Sequence, residues 1–125
     1  MAIRWLQRAL ERLPLRWVFE VFYLSSADPW HYWRSDFESR RYDAATSLLE
    51  RHAPGGARVL EVGCSVGAFT ERMLRIGVGR VTAVDISSMA LRRVRRALRR
   101  EADAGRLALA PVDVFREPPP GGPYD

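Results

Sequence analysis

The 125-residue sequence contains no lysine: all twenty of its basic side chains are arginine, and against fifteen acidic residues they leave a net charge of +5. Arginine without lysine marks a coding bias toward arginine, so the positive balance alone is weak evidence for an anionic partner. Cysteine is nearly absent too. The single Cys64 excludes an internal disulfide, which fits a reducing cytoplasm. No run reaches the roughly 20 consecutive apolar residues of a membrane span; the greasiest segment, WVFEVFYL, carries Glu20 in its middle. The N-terminal MAIRWLQRALERLPLRWVFEVFYL is interrupted by charge and leads to no small-residue cleavage site, which argues against a secretory signal. His31 and His52 have no partner at metal-ligand or catalytic spacing, so no metal site is expected. Internal repeats are missing as well.

What is present is the apolar content of a domain with its own core: 47% hydrophobic residues, four of them tryptophan. Residues 2–12 and 15–24 have the periodicity of two short amphipathic helices separated by Pro14, with Trp5, Leu6, Leu10 and Leu13 at helical spacing. SSADPW breaks that pattern. Ser35, with Glu38 three residues on, forms an S-x-x-E capping box for another helix, whose apolar face would be Phe37, Tyr42, Ala45, Leu48 and Leu49. HAPGGA, residues 52–57, ends it. The texture then alternates: a strand over 57–62, a helix over 67–77, a strand over 80–85, a helix capped by Ser87 or Ser88 and stopped by Gly105, and a strand over 106–113.

Right-handed crossovers turn such a βαβαβ order into a parallel sheet with helices on its faces. The expected fold is therefore α/β, the N-terminal half of a Rossmann-like doubly wound parallel sheet, preceded by helices. Residues 1–27 would be a helical extension and 28–125 an incomplete cofactor-binding domain. The closing REPPPGGPYD has to be a loop. Because three parallel strands leave an apolar, unpaired edge, the chain is expected to be the N-terminal part of a longer protein.

In a doubly wound sheet, ligands bind beyond the carboxyl ends of the strands. Those ends carry Glu61 and Gly63, then Asp85, then Asp113. Asp85 follows Gly67 by eighteen residues, close to the roughly 20 expected of a carboxylate that binds a ribose diol. Gly63 and Gly67 permit unusual dihedrals and leave no side chain to block a ligand. A plainer alternative stays open, in which the glycines serve only the turn and Asp85 caps the next helix. Glu61 separates the candidate ligands. A dinucleotide would bring a pyrophosphate to the first helix N-terminus, where a carboxylate opposes it, and the G-x-G-x-x-G fingerprint is broken by Ser65. A cationic cofactor would instead be favoured.

LEVGCSVGAF resembles motif I of the class I S-adenosylmethionine-dependent methyltransferases, an acidic residue followed by G-x-G-x-G. VTAVDIS resembles motif II, LAPVDVF the segment that meets the adenine, and PYD the start of a fourth strand. DPWHYWRSDFESRRYDAATSLL is similar to the helix that leads into motif I in nodulation protein S-like N-methyltransferases. The resemblance covers residues 28–125. It implies S-adenosyl-L-methionine as cofactor and N- or O-methyl transfer to a small molecule or sugar derivative. It further implies that Glu61 orients the methionine amino group, that Gly63, Ser65 and Gly67 form the cofactor loop, and that Asp85 holds the ribose hydroxyls. Ile86 would pack on the adenine, Asp113 would accept from its amino group, and Val114 would present its amide. Trp30, Arg41 and Tyr42 would cover the cofactor or begin the substrate channel. Ser65 departs from the usual middle glycine. The residues that select the acceptor, and any base, would follow strand four, so the isolated chain is expected to be inactive.

LRRVRRALRR sets Leu91, Val94 and Leu98 on one stripe with arginines around the rest, the pattern of a helix on the outside of a sheet. A noncatalytic nucleic-acid-binding module built on that helix is the alternative from another class; an NAD-binding half is disfavoured by Glu61 and Ser65. Cys64 has no basic neighbour and fits a small buried side chain better than a nucleophile.

Overall fold

A computed structural model describes residues 14–125; the helix expected over 2–12, with Trp5, Leu6, Leu10 and Leu13, lies outside the described residues. Three parallel strands, β1 (Arg58–Val62), β2 (Arg80–Asp85) and β3 (Leu107–Pro111), form a sheet in the order β1-β2-β3. Arg58 stands opposite Arg80, and Val81 opposite Leu107. The middle strand is covered on both faces, and all five residues after Arg80 are buried, which is why its sequence is nearly continuously apolar. Helix α3 (Ala68–Arg75) links β1 to β2, and α4 (Ser88–Ala97) with α5 (Arg99–Asp103) link β2 to β3. Met73, Leu74, Val81, Ala83, Leu91 and Val94 make the centre of the core.

Two further helices precede the sheet: α1 (Leu15–Ser25) and α2 (Asp36–His52). The Ser35 hydroxyl accepts from Glu38 N at 3.3 Å, as the capping box predicts. The box is only half made, because Glu38 turns to Arg41 at 2.5 Å and Ser35 N donates to the His31 carbonyl instead. The apolar face of α2 also differs from expectation. Phe37 and Leu48 are exposed, while Tyr42, Thr46 and Leu49 face the core; at about 100° per residue the last three share one row, and Phe37 and Leu48 lie well off it. Arg72 binds α2 to α3 through the Ser39 hydroxyl at 2.7 Å and the Asp43 carboxylate.

The single helix expected after Ser87 is broken at Leu98, which leaves helical geometry at φ −113°, ψ 36°. The apolar spacing of Leu91, Val94, Leu98 and Ala102 continues through the break and hides it. Beyond it, Arg106 draws the last turn onto the start of β3: its guanidinium donates to Glu101 at 2.7 Å and to the carbonyls of Leu74 and Val78 at 2.9 and 3.2 Å. β3 stops at Pro111, earlier than expected. One more rung follows, Val112 N to the Asp85 carbonyl at 3.0 Å. REPPPGGPYD is irregular, and Asp125 N donates to the Arg58 carbonyl at 3.0 Å, so the chain lies beside β1 there.

Helix α1 docks on α4 by reciprocal capping. Glu20 accepts from Ser88 N at 2.6 Å and Met89 N at 3.2 Å, placing a carboxylate at the positive end of the α4 dipole. In return Arg93 donates to the Ser26 carbonyl at 2.6 Å and to that of Tyr23, at the C-terminal end of α1.

The approach of the 54–57 turn to the start of β2 depends on Gly79, since a Cβ there would stand 2.2 Å from the Gly56 carbonyl oxygen. Gly79→Ala is expected to cost about 1–3 kcal/mol. Gly55→Ala, with nothing within 4 Å of its Cβ, is expected to be near neutral. Urea denaturation midpoints of the two variants check both outcomes.

Candidate functional site

Between β1 and α3 the chain alternates into positive φ three times: Gly63 at 76°, Ser65 at 51° and Gly67 at 84°. The two glycines serve different ends. At Gly63 the backbone doubles over β2, and the amides of Gly63 and Cys64 both donate to the Val84 carbonyl, at 2.8 and 3.1 Å. At Gly67 a Cβ would meet both Val94 methyls at 3.1 Å, so that glycine lets the loop close on α4. Ser65 holds a left-handed conformation that costs a residue with a side chain about 1–2 kcal/mol. Two hydrogen bonds offset it: Ser65 N to Asp85 Oδ2 at 2.8 Å, and the Tyr23 hydroxyl to Ser65 Oγ at 2.5 Å.

Asp85 is 7% exposed. Its other oxygen, Oδ1, accepts from Ser87 N at 2.9 Å, so it braces the start of α4 as well as the loop. Burial lifts its carboxyl above the ordinary range while the Ser87 and Ser65 amides hold it back. Burial also lifts Glu61, to about 7 from 4.5; Thr70 opposes this by donating to Oε2 at 2.6 Å, and Asp85 adds to it. The Cys64 thiol is 4% exposed and pushed up by burial, which keeps it protonated and inert.

Two cavities open on this loop. The first, about 410 Å³, is lined by Asp85, Ile86, Asp113, Val114, Tyr23 and Trp30 among others. The second, about 390 Å³, is lined by Glu61, Arg41, Tyr42, Cys64 and Phe69. Tyr32, Val62, Gly63 and Ser65 belong to both, so the cavities form one groove with the loop as its waist. Of the residues singled out from the sequence, only Gly67 lines neither, for the packing reason just given. Trp30 sits in an aromatic cluster with Phe19, Phe22, Tyr23 and Tyr32, at centroid distances of 6.0, 5.8, 5.4 and 6.1 Å. Tyr42 stacks on Phe69 at 5.3 Å, with the Arg41 guanidinium 5.3 Å from its ring. Asp113 Oδ1 accepts from Phe115 N at 3.1 Å.

Tyr23, Tyr32 and Thr70 escaped the sequence reading. For Thr70 a signal existed: a hydroxyl on the buried stripe of α3, fully buried beside Met73 and Leu74, needs a polar partner. Tyr23 gave none, because its contact with Ser65 spans 42 positions.

A parallel βαβαβ sheet with Glu61, Asp85 and Asp113 at or just beyond the carboxyl ends of its strands, around this glycine-bearing loop, has the form of the N-terminal half of a class I S-adenosylmethionine-dependent methyltransferase fold. The chain belongs to the Nodulation protein S (NodS) family, whose sequence profile matches residues 22–115. It is 43% identical over 72 residues to Nodulation protein S of Bradyrhizobium diazoefficiens, covering 58% of this chain and 34% of that protein. With Nodulation protein S of Rhizobium tropici the identity is 40% over 80 residues, or 63% and 32% of the two chains. The chain thus spans about a third of the length of these curated relatives. The crystal structure of N-methyltransferase NodS from Bradyrhizobium japonicum WM9, in complex with S-adenosyl-L-homocysteine, superposes with a TM-score of 0.68 at 25% identity, over 83% of this chain and 50% of that one.

The raised Glu61 value has a stability consequence of definite sign. Since the folded-state value of about 7 lies above the 4.5 of the unfolded chain, ionisation favours unfolding. This penalty is absent below the lower value, grows between the two and is complete above the higher. Glu61→Gln is therefore expected to gain on the parent chain as pH rises across that window, by up to about 3 kcal/mol, read from urea midpoints at a series of pH values. For the hydroxyl pair, Tyr23→Phe is expected to cost about 1 kcal/mol in the parent and markedly less in a Ser65→Gly background. A double-mutant cycle measures that coupling.

Proposed function

We propose that this chain is the cofactor-binding part of an S-adenosylmethionine-dependent N-methyltransferase that acts in the cytoplasm on an amine of a small molecule or sugar derivative. The observation that carries the reading is Glu61, a carboxylate two residues before Gly63 at the waist of the groove. A cationic ligand is favoured there and a phosphate is not. Membership of the NodS family, and the N-methyltransferase NodS bound to S-adenosyl-L-homocysteine, support the nitrogen acceptor and the cofactor class.

The residues present fit the group. Each Asp85 oxygen already accepts one amide, yet a carboxylate has about four lone-pair sites, so two ribose hydroxyls find acceptors. Ile86 and Val114 offer apolar surface in the same cavity as Asp113, which suits a purine with an exocyclic amine. At the waist, Gly63 and Ser65 present nothing larger than a hydroxymethyl group. When bound, the cofactor supplies an electrophilic methyl group on a sulfonium. The chain's own part is to hold and dry the site: deprotonated Glu61 holds the ammonium, Asp85 the ribose, and Trp30 and Tyr32 shield the groove from water. Alignment of an unprotonated amine is then the main source of rate. Arg41 and Tyr42, on the Glu61 side, are placed to begin the acceptor channel.

Calorimetric titration with S-adenosyl-L-homocysteine tests the reading. Saturable binding is expected, weakened about tenfold or more by Asp85→Asn. Affinity should rise with pH through about 7, by up to tenfold per pH unit below that value, because the ligand ammonium selects the ionised Glu61. Glu61→Gln should flatten that rise. Absence of binding, or preferential binding of NAD, overturns the proposal.

A further inference from the structure

Helix α1 is apolar on two faces. Phe19 and Tyr23 pack inward with Val66 and Ala90, Glu20 caps α4, and the exposed Arg16 donates to the Ser88 hydroxyl at 2.9 Å. Its outer face carries Trp17, Val21 and Leu24, exposed by 58, 62 and 66%. Steps of four and three residues put the three on one stripe about 10 Å long. Exposed apolar residues scattered singly need no explanation, but a continuous stripe marks a contact surface.

The arginines of α4 adjoin it. Met89 and Arg93 form the row of α4 that meets α1, through Glu20 and the Tyr23 and Ser26 carbonyls. The next row around the helix holds Arg92 and Arg96, both exposed, and among the described residues neither is in an ion pair. The sequence before Pro14 has the same composition, with Arg4, Arg8 and Arg12 interleaved with Trp5, Leu6 and Leu10. Charge composition alone said little about a partner. An unpaired cationic row beside an apolar, tryptophan-bearing helix face says more.

We propose that this face binds the surface of an anionic lipid bilayer, with Trp17, Val21 and Leu24 at the acyl boundary and the α4 arginines on headgroup phosphates. The chemistry selects that partner. Nucleic acid would use the arginines and leave the Val21–Leu24 stripe in water, whereas an interfacial helix needs both features and no matching groove. Among the described residues no helix is long and apolar enough to cross a membrane, and the proposed contact uses only this surface.

Flotation of the chain with vesicles of phosphatidylcholine, alone or mixed with phosphatidylglycerol, tests this. Binding is expected only to the mixed vesicles and should fall as salt rises. Arg92→Gln and Arg96→Gln should each weaken it about fivefold, and Trp17→Ser and Leu24→Ser about tenfold each. All four side chains are exposed, so unchanged far-ultraviolet circular dichroism confirms that the variants fold. The proposal is overturned by absence of flotation, by equal binding to neutral vesicles, or by binding indifferent to the Trp17 and Leu24 changes. Self-association in the absence of lipid that the same variants abolish would overturn it too, by assigning the stripe to a second copy.

Discussion

The site depends on one buried carboxylate. Asp85 ends the central strand and gives each oxygen to a different amide, Ser65 N in the loop after β1 and Ser87 N at the start of α4. A single side chain thus ties β2, the loop and the second crossover helix together, and sets the width of the groove between them. Two charge-assisted hydrogen bonds to backbone compensate the desolvation of the group, which is how a carboxylate survives at 7% exposure. The same arrangement is the helix brace that the plainer reading of this position expects. The bracing is observed, and it leaves acceptor capacity toward the cavity.

Around that brace, α1 is held by exchanged charges as well as by the packing of Tyr23 and Phe19 with Val66 and Ala90. Glu20 satisfies the amides that α4 leaves free at its first turn, and Arg93 satisfies carbonyls that α1 leaves free at its last. This exchange accounts for the position of Glu20, and with that packing it places Tyr23 over Ser65. Where a glycine would adopt the left-handed conformation without cost, Ser65 needs support, and the Tyr23 hydroxyl supplies part of it. The departure of the loop from G-x-G-x-G is therefore coupled to a residue forty-two positions earlier.

The sheet was legible because its signals are local: short apolar strands, the Ser87 cap, and glycines at the helix ends, with bounds off by one or two residues. The strand-end acids Glu61, Asp85 and Asp113 were legible for the same reason, since parallel topology alone brings them to one rim. What could not be read were the consequences of tertiary geometry. The break at Leu98 keeps the apolar period intact, so the spacing does not reveal it. Phe37 and Leu48 counted as core by composition, yet helical phase turns them to solvent. Glu20, read from the sequence only as an interruption of an apolar run, proved to be a cap for a helix sixty-eight residues later.

The loop's own amides sharpen the electrostatic case for a cationic ligand. In a phosphate cradle, successive backbone N–H groups point outward, free to meet the anion. Here four of them are already committed: Gly63 and Cys64 to the Val84 carbonyl, Ser65 to Asp85, and Gly67 to the Cys64 carbonyl. At the neighbouring helix start, Glu20 takes the amides of Ser88 and Met89. The loop's amides are thus spent on internal acceptors, although the first turn of α3 keeps its own, with no side-chain cap at Gly67. The acids, by contrast, are in surplus: Glu20 adds to the lift on Asp85, and Asp85 to that on Glu61. A groove whose loop amides are already paired and whose carboxylates lift one another lowers its free energy by admitting positive charge. The chemistry of Glu61 follows from that imbalance as much as from its position in a motif.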